Sequence, residues 1–113
     1  MENKLLNIIQ VVQDIKDIKI QGATNIAKSA FEILISESKN KTFASKEEFL
    51  DFIQQAMQML IGARPTEPML FNGMDYIKAQ IATLKDEDCL QTQNKVAEAA
   101  SYYLNLIKET SER

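Results

Sequence analysis

Apolar residues recur at intervals of three and four along almost the whole chain, with polar residues filling the positions between. A period near 3.6 residues is the mark of helices that bury one face. In the first segment Leu5, Ile8, Val12, Ile15 and Ile18 form one stripe, which Leu6, Ile9 and Val11 widen. No glycine or proline interrupts it before Gly22, so it predicts a helix over about 3–19. A second stripe, with Ile26, Ala27, Ala30, Phe31, Ile33 and Leu34 inward, predicts a helix over about 24–38. Between them Gly22 suits a left-handed stop, and Thr24 or Asn25 caps the second helix.

The segment "ESKNKTF" reads as a polar linker. Ser45 followed by Glu48 is a capping-box pattern that opens a third helix, about 46–62. Its stripe is Phe49, Ile53, Ala56, Met57 and Leu60, and Gly62 stands where a terminator is expected. Thr66 with Glu67 and Pro68 reads as an N-cap followed by a first-turn proline, and predicts a helix over about 67–84. That helix buries Leu70, Met74, Ile77 and Ile81. Asn72–Gly73 competes with it as a turn signal, but the apolar spacing continues on both sides. Asp86 or Asp88 caps the last helix, about 87–111, whose stripe is Val96, Ala100, Tyr103 and Ile107, widened by Ala97 and Leu104. Tyr102 and Tyr103 fall on different faces, one buried and one partly exposed. No segment alternates as a half-buried strand does, so the fold class is all-α, a single bundle of about five helices.

At 113 residues the chain is one domain, 1–113. The formal charge is −3, and acids and bases alternate without a basic face, which argues against a nucleic-acid partner. The stretch "NKLLNIIQVV" is too short and too polar to span a bilayer, so no membrane association is expected. A single cysteine, Cys89, forms no internal disulfide and fits a reducing, cytoplasmic location. There is no histidine, which removes the commonest general base and transition-metal ligand at once. The expectation is therefore no enzyme, no catalytic residue, no metal and no cofactor. Cys89 comes directly after Asp86, Glu87 and Asp88, which raise a thiol's pKa and leave it inert. The acidic run reads as a solvated helix start and lacks the glycine-bearing loop of a calcium site. Met57, Met69 and Met74 lie near stripe positions and read as core filling.

Two stretches stand apart, "IQGATN" and "ARPTEP". In each, a turn precedes a helix amino end, and such an end presents backbone N–H groups to anions. The second adds Arg64, the only arginine before the last residue, whose fork matches a phosphate or carboxylate. The plainer alternative is two ordinary connections, with Arg64 in solvent or satisfying the carbonyls that end the third helix.

The segments "DIKDIKIQGATNIAKSAFEIL" and "ARPTEPMLFNGMDYI" together resemble the amino-terminal helical domain of one superfamily. It comprises the regulatory subunits of translation initiation factor 2B, their archaeal homologues, ribose-1,5-bisphosphate isomerase and methylthioribose-1-phosphate isomerase. "ARPTEP" is most similar to the archaeal initiation-factor-2B-like branch. The resemblance implies a Rossmann-like carboxy-terminal domain, expected to be absent from this chain, where the family's catalytic cysteine and aspartate lie. It also implies that an Arg-Gly-Ala turn and an Arg-Pro-Thr turn hold the sugar phosphate. The matching positions are Gln21, Gly22 and Ala23, next to Thr24, and Arg64, Pro65 and Thr66. Gln21 departs from the pattern, because a neutral amide replaces a bidentate guanidinium. The resemblance therefore implies a non-catalytic regulatory domain that binds a protein, either the initiation factor 2 alpha subunit or sister subunits. A phosphosugar or nucleotide ligand is expected only with a carboxy-terminal domain. The alternative is the substrate-side lobe of a sugar-phosphate isomerase. In both, the corners near residues 22 and 65 should converge on one side of the bundle.

Overall fold

A computed structural model describes residues 4–17, 22–63 and 68–111. It contains five helices: α1 (Leu6–Lys16), α2 (Ala23–Asn40), α3 (Lys46–Ala63), α4 (Pro68–Ala82) and α5 (Cys89–Ser111). No strand occurs among the described residues, so the chain is all-α, as the stripes predict. The body measures 38 × 34 × 21 Å, about two helix layers in its thinnest direction.

The stripes become the core with few exceptions. Ile8, Phe31, Phe49, Ile53, Leu70 and Ile77 are each fully buried, and Met57 and Met74 fill space between them. Tyr103 packs against this core, whereas Tyr102 is exposed. Two predicted stripe residues, Leu6 and Ile9, instead lie on the open face of α1.

Side-chain contacts fix the direction of every helix. Asn7 of α1 donates to Glu37 near the end of α2 (3.4 Å), so these two run antiparallel. Gln93, near the start of α5, donates to the carbonyls of Ser38 and Lys41 at 2.9 and 2.8 Å. Farther along the same pair, Phe31 meets Tyr103 with ring centroids 5.3 Å apart, so α2 and α5 are also antiparallel. Tyr76 stacks on Tyr102 at 5.2 Å, and Gln80 and Thr83 share a groove with Lys95. That ordering makes α4 antiparallel to α5. The starts of α1, α3 and α5 lie together, held by Lys4–Glu48 (3.0 Å) and by Lys46 Nζ donating to Lys85 O (3.1 Å). The amino ends of α2 and α4 therefore share the opposite end of the bundle.

Helix boundaries depart from expectation where capping decides them. α1 begins at Leu6 rather than 3, because Leu5 supplies no side-chain cap and Lys4 is drawn away to Thr42 O, Glu48 and the face of Phe43. Its described end is Asp17, short of 19. α2 starts directly after Gly22, which takes the cap position, so Thr24 and Asn25 lie inside its first turn. It also runs two residues past 38, through part of the expected linker. Glu37 and Ser38 are buried there, on the continuation of the Ala30–Leu34 stripe. Glu37 faces Lys41 at 3.6 Å. Gly62 does not terminate α3, which continues through it to Ala63.

α4 passes through Asn72–Gly73 and then tightens. Thr83 and Leu84 donate three residues back, to Gln80 and Ile81, so the α-helix itself stops at Ala82 and not at 84. α5 begins at Cys89 because Asp88, not Asp86, is the cap. Asp88 Oδ1 accepts from Gln91 N (2.7 Å) and Gln91 Oε1 accepts from Asp88 N (3.1 Å), a reciprocal capping box. At α3 Ser45 Oγ accepts from Glu48 N as predicted, but Glu48 reaches back to Ala44 N rather than to the cap residue.

Candidate functional site

The first corner centres on Gly22. Its φ is +87°, a region that an L side chain rarely adopts, and this bend aims the chain into α2. The helical ladder opens with Ile26 N donating to Gly22 O at 3.0 Å. The N–H groups of Ala23 and Thr24 precede that bond and point out of the helix end. No side chain caps Gly22 among the described residues, and the first turn of α2 holds no acid. Gln21 lies outside the described residues, and of Ala23 only the backbone is described.

At the second corner α3 ends at Ala63 and α4 opens on Pro68, a position where the missing N–H costs nothing. The first turn of α4 is also without acid. Arg64, Pro65 and Thr66 lie outside the described residues, so their side chains receive no placement. The antiparallel order of the helices puts the end of α3 and the starts of α2 and α4, which flank the two predicted turns, at the same end of the bundle.

The electrostatics of the two bundle ends differ. α3 and α5, which start at the far end, bring their own carboxylates, Glu47 and Glu48 in one case and Asp88 in the other. Those anions already complement the positive dipole ends. The carboxyl of Glu48 is held below its ordinary value by the hydrogen bond from Lys4 and then by that from Ala44 N. Glu87 is likewise lowered, first by the Lys85 N–H. α2 follows Gly22 and has no acid in its first turn, whereas α4 follows Glu67 in the sequence as α5 follows Asp88. The amino end of α2 suits an anion brought from outside.

Other candidates carry no chemistry. Burial, then Asp88, then Glu48 and Glu47 push the Cys89 thiol up, away from a reactive thiolate. Its Sγ donates to Ser45 O and Gln93 Oε1 at 3.5 and 3.3 Å. Among the described residues no cluster of acids or cysteine is arranged to hold a metal ion, and no helix is long and apolar enough to cross a membrane.

Sequence reasoning missed the importance of Gly73 and of the buried amide Gln93. Both had signals. Gln93 lies three residues before Val96 on the α5 stripe, and an Asn-Gly pair inside a helical stripe demands a packing reason.

Comparison with known proteins adds the chemistry. The sequence profile of the Initiation factor 2 subunit family matches residues 19–113. Ribose 1,5-bisphosphate isomerase of Thermococcus kodakarensis is 27% identical over 108 residues, 94% of this chain and 34% of that protein. Methylthioribose-1-phosphate isomerase of Nematostella vectensis is 37% identical over 70 residues, 62% of this chain and 20% of that protein. Ribose 1,5-bisphosphate isomerase of Archaeoglobus fulgidus is 26% identical over 106 residues, 94% of this chain and 31% of that protein. The chain thus spans at most about a third of the length of these relatives. The expectation of a chain with no enzymatic role is corrected here, because these relatives are named isomerases. The error was to count only proton-transfer and metal-binding groups. Holding an anion needs N–H donors and a guanidinium, not a histidine.

Proposed function

Because this chain belongs to the Initiation factor 2 subunit family, we propose that it forms the substrate-side helical lobe of a sugar-phosphate isomerase of the ribose 1,5-bisphosphate type. One observation carries this reading: the amino ends of α2 and α4 share one end of the bundle, and α2 opens on Gly22 with no acid in its first turn. In this reading Gly22, Ala23 and Thr24 offer backbone N–H groups to a phosphate. Arg64 supplies a two-pronged charge-assisted contact, and Pro65 and Thr66 shape the turn that carries it. Gln21 contributes a neutral donor where the family pattern has a guanidinium, which leaves Arg64 as the principal cation. The lobe binds and orients the phosphate; groups outside these residues perform the proton transfer.

Arg64→Ala tests the proposal. The expected result is loss of at least about tenfold in affinity for ribose 1,5-bisphosphate by calorimetry, a charged bidentate contact being worth about 1.5–3 kcal/mol. The midpoint of urea unfolding should move by less than the equivalent of about 0.5 kcal/mol. Unchanged affinity, or a large stability loss without one in affinity, makes Arg64 a structural cap of α3 and removes the proposal's main cation.

The family's description favours a second reading, in which a face of the bundle docks an initiation factor 2 subunit. The exposed Tyr102 and Leu106 on α5 give such a partner apolar anchors. Titration with the initiation factor 2 alpha subunit tests this. Absence of any spectral change in either protein at high micromolar concentration argues against it.

A further inference from the structure

Gly73 sits in the middle of α4, fully enclosed, where glycine costs a helix about 1 kcal/mol relative to alanine. A Cβ built there runs into the ring of Phe31, with Cε1 at 2.8 Å, and lies 2.8 Å from Cδ1 of Tyr103. Phe31 is itself fully buried and packs on Tyr103. Three helices, α2, α4 and α5, thus meet where one side chain is missing. The notch at Gly73 is the hole and the Phe31 ring is the knob.

We propose that Gly73 is a positioning residue that sets the spacing between the amino ends of α2 and α4, the two ends that face the phosphate. This rests on the phosphate-binding reading of the two corners. Phe31 lies eight residues from the start of α2 and Gly73 five from the start of α4, about 12 and 7.5 Å of helix. A close-packed interior passes displacement along rigid helices, so a shift at the notch reaches both ends. Gly62 supplies the contrast. It lies nearer the second corner, but a Cβ there meets nothing within 4 Å among the described residues, so it sets no spacing there.

The test places spin labels on the exposed positions Asn25→Cys and Asp75→Cys in a Cys89→Ser background. In Gly73→Ala the inter-label distance should lengthen or broaden by at least about 1 Å, since Phe31 Cε1 at 2.8 Å and the still nearer Cζ must move to an ordinary carbon contact of about 3.5–4.0 Å. Affinity for ribose 1,5-bisphosphate should fall about tenfold or more, since misplacement of about 1 Å is costly at an oriented site. Adding Phe31→Leu removes the nearer obstacle but leaves Tyr103 and should restore both readings in part, while Gly62→Ala should change neither. A folded Gly73→Ala with the parent distance, or a double variant that restores nothing, overturns the proposal. Should Gly73→Ala fail to fold, Phe31→Leu alone decides. Emptying the notch must shift or broaden the distance, and an unchanged distribution overturns the proposal. Distances that respond as described in a parent that binds no bisphosphate sink the phosphate reading and leave the positioning geometry standing.

Discussion

Among the described residues an added methyl at position 62 meets nothing within 4 Å, at position 73 it meets two aromatic rings, and at position 22 it meets the Asn25 amide nitrogen at 3.9 Å. Helix propensity alone favours alanine at the two helical sites. The contacts separate them. Gly62→Ala should raise stability by about 0.5–1 kcal/mol through the unfolded chain's lost freedom, and Gly73→Ala should lower it by about 1–3 kcal/mol through overpacking. Gly22→Ala should lower it by about 1–2 kcal/mol because of its positive φ, not for want of space. Urea unfolding of the three variants checks all of this, and a common sign for 62 and 73 would refute it. Glu48 adds a pH dependence. Its carboxyl is lowered in the folded state, so its stabilisation is present above the unfolded value of about 4.3 and is lost as pH falls below it. Glu48→Gln should therefore flatten the acid limb of the stability–pH curve. At this scale the sequence was partly legible: the bend at Gly22 could be read from it, but only a neighbour thirty or forty residues away shows why position 73 admits no methyl.

The helices themselves were legible because each buries one stripe, and the stripe survives any detail of packing. Their ends were less so. A cap is a choice among adjacent polar residues, made by which one reaches the open N–H groups. Asp86 and Asp88 look alike in sequence, but only Asp88 has Gln91 three residues on to complete the exchange. Asp88→Ala should cost about 0.5–2 kcal/mol and Asp86→Ala almost nothing, compared by thermal unfolding. The buried polar residues Glu37 and Gln93 belong to this scale too. Gln93 ties α5 to the carbonyl of Ser38 in α2 and that of Lys41 just past its end, which leaves Gln93→Ala with both carbonyls robbed of their side-chain donor. A loss of about 1–3 kcal/mol is expected.

For the whole molecule, alternating helix direction is what matters. Five antiparallel helices joined by short connections put every second amino end on the same side, so the starts of α2 and α4 share one end of the bundle as a result of topology. That much was foreseeable. The histidine-free composition pointed away from enzymes and misled, because it counts only groups that move protons or hold metals, whereas the relatives are named isomerases. Gln21, Arg64 and Thr66 lie outside the described residues, and their proposed roles are read in solution. Backbone amide shifts during a titration with ribose 1,5-bisphosphate report on both corners at once. The account predicts saturable shifts at Gly22–Thr24 together with Arg64 and Thr66, and little change around Asp88–Gln91 at the far end. Shifts confined to the far end, or none at either corner, would contradict it.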